Sequence, residues 1–202
     1  MKIIFNPFEK YPEKALLTLG LLFLIAGSFT GAIFQARYDG VLDTHFVPQK
    51  LTVQPFIDII INTVSLFVVL YPAGYYVNRK SRPIDFLSTI LIAPAPFYIL
   101  PLFNINNFMY SITAPLEQSI TNGKNMSGDY SATFTLVDPI ALIIILVFSL
   151  IALGTLVWFV VLLYNGYKTA ANIKTTGQKV FFGAAIIFAE IISKFLISVI
   201  PY

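Results

Sequence analysis

Two charged residues, Glu190 and Lys194, lie four positions apart within the apolar C-terminal stretch "FAEIISKF". A glutamate followed by a lysine at this spacing lies on one face of a helix and forms a favourably oriented ion pair. An ionised group near the middle of a membrane costs about 2.5 to 3.5 kcal/mol. Such a pair therefore indicates either a site that handles ions, protons or ligands, or a structural tie that fixes helix register, and the spacing leaves both hypotheses open.

Other polar side chains are candidates to join this pair. Ser193 shares the helix face of Glu190 and Lys194, and Asn62 and Ser65 lie in the outer half of the second apolar stretch. Because intramembrane polar groups face the interior of a bundle, we expect all five side chains to form one polar cluster there. In this arrangement Lys194 is the hub, bridging the carboxylate of Glu190 and polar groups of neighbouring helices.

Prolines and glycines mark two further positions in the apolar stretches. Pro94 and Pro96 remove amide donors from the third stretch, which predicts a kink there and carbonyl groups left to accept other hydrogen bonds. Gly27 and Gly31 form a GxxxG pattern in the first stretch, which is typical of close helix packing within or between chains.

The composition shows what must position these residues. The 202 residues are 57% hydrophobic and 11% charged, with a mean hydropathy of +0.79, whereas soluble domains are about 25% charged. A helix of roughly 20 apolar residues spans the hydrocarbon core. We therefore predict an all-α integral membrane protein, a single domain over residues 1–202 that forms a bundle of five transmembrane helices. The predicted spans are 14–36, 54–77, 85–103, 138–164 and 179–201, with an outside loop at 104–137.

The distribution of basic residues predicts the orientation of this bundle. Three Lys or Arg residues lie in the loops at 37–53 and 104–137, whereas nine lie in the segments on the opposite side. The nine are Lys2, Lys10, Lys14, Arg79, Lys80, Arg82, Lys168, Lys174 and Lys179. By the positive-inside rule, the N-terminus is cytoplasmic and the C-terminus is outside. We expect the chain to cross a cell membrane several times, and this is the inner membrane if the cell is bacterial.

The sequence lacks the residues that several classes of function require. There is no cysteine, which excludes disulfides and thiolate chemistry, and the single histidine, His45, cannot form a histidine cluster. Phosphate-binding glycine loops, zinc-protease motifs and serine-hydrolase motifs are absent. We therefore expect no enzyme, no cofactor, no metal site and no nucleic-acid partner.

Two longer stretches resemble the Yip1 family of five-span membrane proteins. They are "YYVNRKSRPIDFLSTILIAPAPFYILPLF" and "WFVVLLYNGYKTAANIKTTGQKVFFGAAIIF". The similar features are a charged turn before the third span, Ala93-Pro94 within it, and Trp158 followed by a Gly-Tyr-Lys exit and a Gly-Gln-Lys re-entry. The resemblance is to the short, prokaryotic-type members, because the long cytosolic N-terminal region and the Asp-Leu-Tyr-Gly-Pro motif of the Rab-contacting eukaryotic members are missing. It implies the same orientation and no catalytic residues.

These observations lead to two hypotheses of function. The first is a non-enzymatic Yip1-like membrane protein that acts in membrane organisation, scaffolding or trafficking through helix packing. Its expected partners are the lipid bilayer, other membrane proteins and a second copy of the chain. The alternative is a small transporter or channel in which Glu190 and Lys194 line a polar path beside the broken third span.

Overall fold

The computed structural model describes residues 2–50, 52–125 and 138–200, and it is almost entirely helical. The helices are α1 (Lys2–Phe5), α2 (Glu13–Ile33), α3 (Gln54–Val77), α4 (Pro83–Ile92), α5 (Phe108–Asn125), α6 (Pro139–Ala171) and α7 (Thr176–Val199). Two 3₁₀ segments cover Pro7–Glu9 and Phe97–Asn107. Two short strands, β1 (Ala36–Arg37) and β2 (His45–Phe46), pair antiparallel after α2.

Within the described residues, five helical segments are long and apolar enough to cross a membrane. They are Glu13–Ile33, Gln54–Val77, Pro83–Leu116, Pro139–Ala171 and Thr176–Val199. This agrees with five predicted spans. Many large apolar side chains on these helices are exposed, as expected for surfaces that face lipid.

The third membrane segment differs most from its predicted bounds of 85–103. Helix α4 ends at Ile92, and Phe97 begins a 3₁₀ segment that leads into α5. Pro94 and Pro96 lie at this change of conformation, since neither can donate an amide hydrogen bond. The segment predicted as an outside loop from 104 therefore begins with the end of the 3₁₀ segment and continues as helix α5. Its remaining part, residues 126–137, lies outside the described residues.

Small residues allow the helices to approach one another closely. A Cβ atom on Gly20 would lie 2.6 Å from the Cβ of Leu91, so α2 and α4 are in direct contact at that point. The ring of Tyr167 on α6 packs edge-on against Phe86 at 5.5 Å and lies 4.8 Å from the ring of Phe182 on α7. Buried aromatic pairs of this kind stabilise the contact beyond the apolar area they bury.

The N-terminal segment is fastened to α6. The indole N–H of Trp158 donates to the carbonyl of Ile4 at 3.2 Å, and the amide of Asn165 donates to the carbonyl of Phe5 at 2.8 Å. Residues 4–12 therefore lie along the bundle beside the beginning of α2.

Candidate functional site

The loop between α2 and α3 is folded against the bundle. Pairing of Ala36 with Phe46 and of Arg37 with His45 closes residues 38–44 into a compact tip. In this tip Tyr38 and Val41 are only 3% and 8% exposed. We call residues 34–50 the first loop. Its tip supplies polar partners for Glu190 and Lys194 that the sequence predicts on neighbouring helices.

Glu190 on α7 binds the tip of the first loop. Its Oε2 accepts a hydrogen bond from the backbone N–H of Leu42 at 2.8 Å. Gly40 lies so close that a Cβ atom there would be 2.5 Å from Oε1 of Glu190. A side chain at position 40 would therefore displace the carboxylate of Glu190 from this place.

Lys194 lies at the edge of the bundle and not in its interior, contrary to the prediction. Its Nζ is 2.8 Å from Oδ2 of Asp43 and 3.3 Å from Oε1 of Glu190. The Lys194 side chain is 49% exposed, against 16% for Glu190. Lys194 bridges Glu190 as predicted, but its second partner is a carboxylate of the first loop. Pro96 leaves the carbonyl of Ile92 without its usual helical donor, and this carbonyl accepts instead from the backbone N–H of Ala95 at 3.2 Å.

Asn62 connects α3, α7 and the first loop. Its Nδ2 donates to the carbonyls of Tyr38 at 2.9 Å and Gly40 at 3.0 Å. The hydroxyl of Ser193, which is fully buried, donates to its Oδ1. Ser65 is also buried, but its hydroxyl has no hydrogen-bond partner among the described residues. Four of the five predicted residues therefore form two pairs, Glu190 with Lys194 and Asn62 with Ser193, and both pairs bind the tip of the first loop. Ser65 does not join them.

A second ion pair, which the sequence analysis missed, lies beside this network. Arg37 donates from Nε and Nη2 to the two carboxylate oxygens of Asp58, each at 2.9 Å. The Asp58 side chain is fully buried and that of Arg37 is 17% exposed. The signal was present in the sequence, because Asp58 is an acidic residue in an apolar helix four positions before Asn62.

A third contact closes the base of the first loop, outside the membrane spans. Nδ1 of His45 lies 3.0 Å from Oδ2 of Asp39, and Nε of Arg37 lies 3.3 Å from the other oxygen. The hydrogen bond to Asp39 is the main cause that raises the pKa of His45, against the opposing effect of burial. For Asp39 burial is the largest single effect and opposes ionisation, but the hydrogen bond from His45 and the charges of His45, Arg37 and Lys194 together lower its pKa.

The space enclosed by the loop tip is very small. A cavity of about 20 Å³ lies between the tip, α3 and the Pro94–Tyr98 region. A water molecule needs roughly 10 to 15 Å³ of such volume. The cavity therefore has room for about one water molecule, and in this conformation a larger solute does not fit beside the network.

The glycines of the GxxxG pattern pack within the chain. A Cβ on Gly27 would overlap the ring of Tyr98, and one on Gly31 would lie 2.8 Å from both Pro55 and Tyr38. The hydroxyl of Tyr38 also donates to the carbonyl of Gly27 at 2.9 Å. Both glycines thus bring α2 close to the third membrane segment and the first loop.

In residues 2–50, 52–125 and 138–200, no group of three or more His, Asp or Glu side chains is placed to hold a metal ion. Comparison with protein-family models, with curated proteins and with solved structures found no match.

Proposed function

We propose that this chain is a non-enzymatic, Yip1-like membrane protein that acts through helix packing and through contacts with lipids and other membrane proteins. The observation that supports the proposal most strongly is the set of contacts that Glu190 and Lys194 make. Both side chains bind the first loop, through Leu42 and Asp43, and so hold a connection between α2 and α3 against α7. A charge pair engaged in this way favours a structural tie over a transport site.

The energetics support the same proposal. An ionised group deep in a membrane costs about 2.5 to 3.5 kcal/mol. Here Glu190 receives an amide hydrogen bond and an ammonium contact, and Lys194 contacts two carboxylates. Charge-assisted hydrogen bonds are roughly twice as strong as neutral ones, so these contacts offset much of the cost.

The proposed orientation places the N-terminus in the cytoplasm and the C-terminus outside. It rests on the nine basic residues on one side against three in the two opposite loops. In this orientation the first loop lies on the outer side of the bundle, and its tip reaches inward to Glu190. The proposed location is a cell membrane, the inner membrane in a bacterial cell.

A small transporter or channel is the second candidate. It is favoured by the interruption of the third membrane segment, where α4 ends at Ile92 and a 3₁₀ segment starts at Phe97. Discontinuous helices of this kind form the binding sites of many carriers. The small cavity next to the interruption would have to enlarge in another conformation for a solute to pass.

A flux assay in proteoliposomes separates the two candidates. Wild-type protein and the double variant Glu190→Gln/Lys194→Met are compared for proton, ion and lipid movement, with protein-free vesicles as the baseline. The proposed function predicts baseline flux from both proteins. Flux from wild type that disappears in a folded double variant would overturn it in favour of the transporter.

A further inference from the structure

A long apolar groove runs along α2. It has a volume of about 880 Å³ and lies between α2, α6, the N-terminal segment and the start of the 3₁₀ segment. Its lining is almost wholly apolar and includes Leu19, Phe23, Ala26 and Trp158. Ligand sites in proteins usually have volumes of roughly 300 to 1,000 Å³, so the groove is large enough to hold a molecule.

The length and position of the groove match one leaflet of a bilayer. The lining residues Ala15 and Ala26 on α2 are eleven positions apart, which is about 16 Å of helix. This length is about half of the roughly 30 Å hydrocarbon core. The groove starts near Glu13, the first residue of α2. Leu19 and Ile99 line the groove and are themselves exposed, so it opens sideways to the surrounding lipid.

A second cavity, which we call the polar cavity because charged side chains line part of it, lies next to the groove. It has a volume of about 650 Å³ and shares Tyr11 and Leu16 with the apolar groove. It lies where α2 and α4 begin, at the level of the membrane surface on the side of the N-terminus. The polar cavity beside the apolar groove matches the amphipathic form of a lipid, which has a polar headgroup and apolar chains.

The charges in the polar cavity are balanced. Two acidic and two basic side chains line it: Glu13, Asp85, Lys14 and Arg82. The guanidinium of Arg82 contacts Glu13 and binds both carboxylate oxygens of Asp85, at 2.8 and 3.0 Å. The Arg82 and Glu13 side chains are still 58% and 41% exposed, so both signs of charge are accessible.

We propose that the joined cavities bind one glycerophospholipid of the phosphatidylethanolamine class. One of its two acyl chains lies in the apolar groove and the other lies in the surrounding bilayer, into which the groove opens. Its phosphate faces Lys14 and Arg82, and its ammonium group faces Glu13 and Asp85. A primary ammonium has three N–H donors for carboxylates, whereas a choline headgroup has none. A phosphatidylglycerol headgroup carries no ammonium group and so offers no donor of this kind to Glu13 and Asp85.

The single tryptophan of the chain, Trp158, lies in the groove and reports its occupancy. Wild-type protein is reconstituted in phosphatidylcholine vesicles that contain a small fraction of a lipid with brominated acyl chains, which quench indole fluorescence on contact. Brominated phosphatidylethanolamine, phosphatidylcholine and phosphatidylglycerol are compared at equal fractions. We expect phosphatidylethanolamine to quench Trp158 with an apparent affinity roughly fivefold above that of the other two lipids.

Two sets of variants test the two parts of the site. Ala26→Phe fills the inner end of the groove, while Leu22→Phe adds the same ring at an exposed position outside the groove on the same helix. We expect Ala26→Phe to abolish the preferential quenching and Leu22→Phe to retain it. The double variant Glu13→Gln/Asp85→Asn should retain quenching but lose the preference for phosphatidylethanolamine.

The comparison of lipids on the wild type needs no variant and is sufficient to overturn the proposal. Equal quenching by the three brominated lipids would mean that Trp158 contacts only bulk lipid and that the groove holds no specific molecule. A preference for phosphatidylglycerol or for phosphatidylcholine would overturn the assignment of the headgroup. Preferential quenching that survives Ala26→Phe would overturn the assignment of the groove.

Discussion

The ion pair between Arg37 and Asp58 offers a sharp test of the first loop's role in stability. In Arg37→Met the apolar part of the side chain is kept and the guanidinium is removed. This deletes two charged hydrogen bonds of 2.9 Å to a carboxylate that is fully buried. Breaking a buried pair by removing one partner costs about 3 to 5 kcal/mol. Because Arg37 is itself 17% exposed, we expect a value near the lower limit, a loss of about 3 kcal/mol in the free energy of unfolding.

The assay is equilibrium unfolding in mixed detergent micelles, with increasing mole fraction of sodium dodecyl sulfate and the fluorescence of Trp158 as the signal. The double variant Arg37→Met/Asp58→Leu removes both charges, and replacing a buried pair by apolar side chains is often nearly neutral. We therefore expect the double variant to recover at least half of the lost stability. As a control, Arg82→Gln breaks two ion pairs on the exposed surface, with Glu13 and Asp85, and should lower the stability less than Arg37→Met does.

If Arg37→Met is as stable as wild type, the carboxylate of Asp58 is hydrated in the membrane-embedded protein and the first loop does not seal it. A double variant that is less stable than Arg37→Met would also contradict the argument, because it would place the cost in lost packing and not in the buried charge.

Two further predictions concern other contacts of the bundle. Gly27→Ala places a methyl group in the ring of Tyr98 and should destabilise the protein by about 1 to 3 kcal/mol. The matched change Gly154→Ala, which meets nothing within 4 Å, should be neutral or stabilising by up to about 1 kcal/mol in the same unfolding assay. Equal effects of the two variants would mean that close packing at Gly27 does not contribute to stability. The raised pKa of His45 means that its contact with Asp39 stabilises the folded state fully below about pH 6.5 and that this contribution is lost as the pH rises through the folded pKa. At acid pH, the lowered pKa of Asp39 means that its ionised carboxylate stabilises the folded state fully above about pH 3.9 and that this contribution is lost as the pH falls through the folded pKa. Unfolding measured from about pH 6 to pH 9 should therefore show a decline in wild type that His45→Gln lacks, and parallel curves would refute the assignment.

The five apolar helices follow from the sequence because length and hydropathy decide which segments cross a membrane. The break near Pro94 and Pro96 also follows from local chemistry, since proline lacks the amide donor that a helix needs. The resemblance to the Yip1 family and the orientation of the termini stay predictions.

The position of the first loop does not follow from local patterns. Its polar residues and its Asp39-Gly40 turn are typical of a loop in water, and its contact with Glu190 joins residues about 150 positions apart in the chain. Asp58 was missed although the rule applied to Glu190 covers it equally. Lys194 was placed inside the bundle because it shares a helix face with Ser193, but a long lysine side chain extends to the edge of an apolar surface, where Asp43 binds it.

Glu190 ties the first loop to α7, and hydrogen exchange at the amide of Leu42 probes this contact. This N–H donates to Oε2 of Glu190 at 2.8 Å, so in wild-type protein its exchange should be slow. In Glu190→Ala its exchange should approach that of an unprotected amide, whereas the lipid-facing control Ile191→Ala should leave it slow. Rapid exchange at Leu42 in wild type, or slow exchange that persists in Glu190→Ala, would contradict the account.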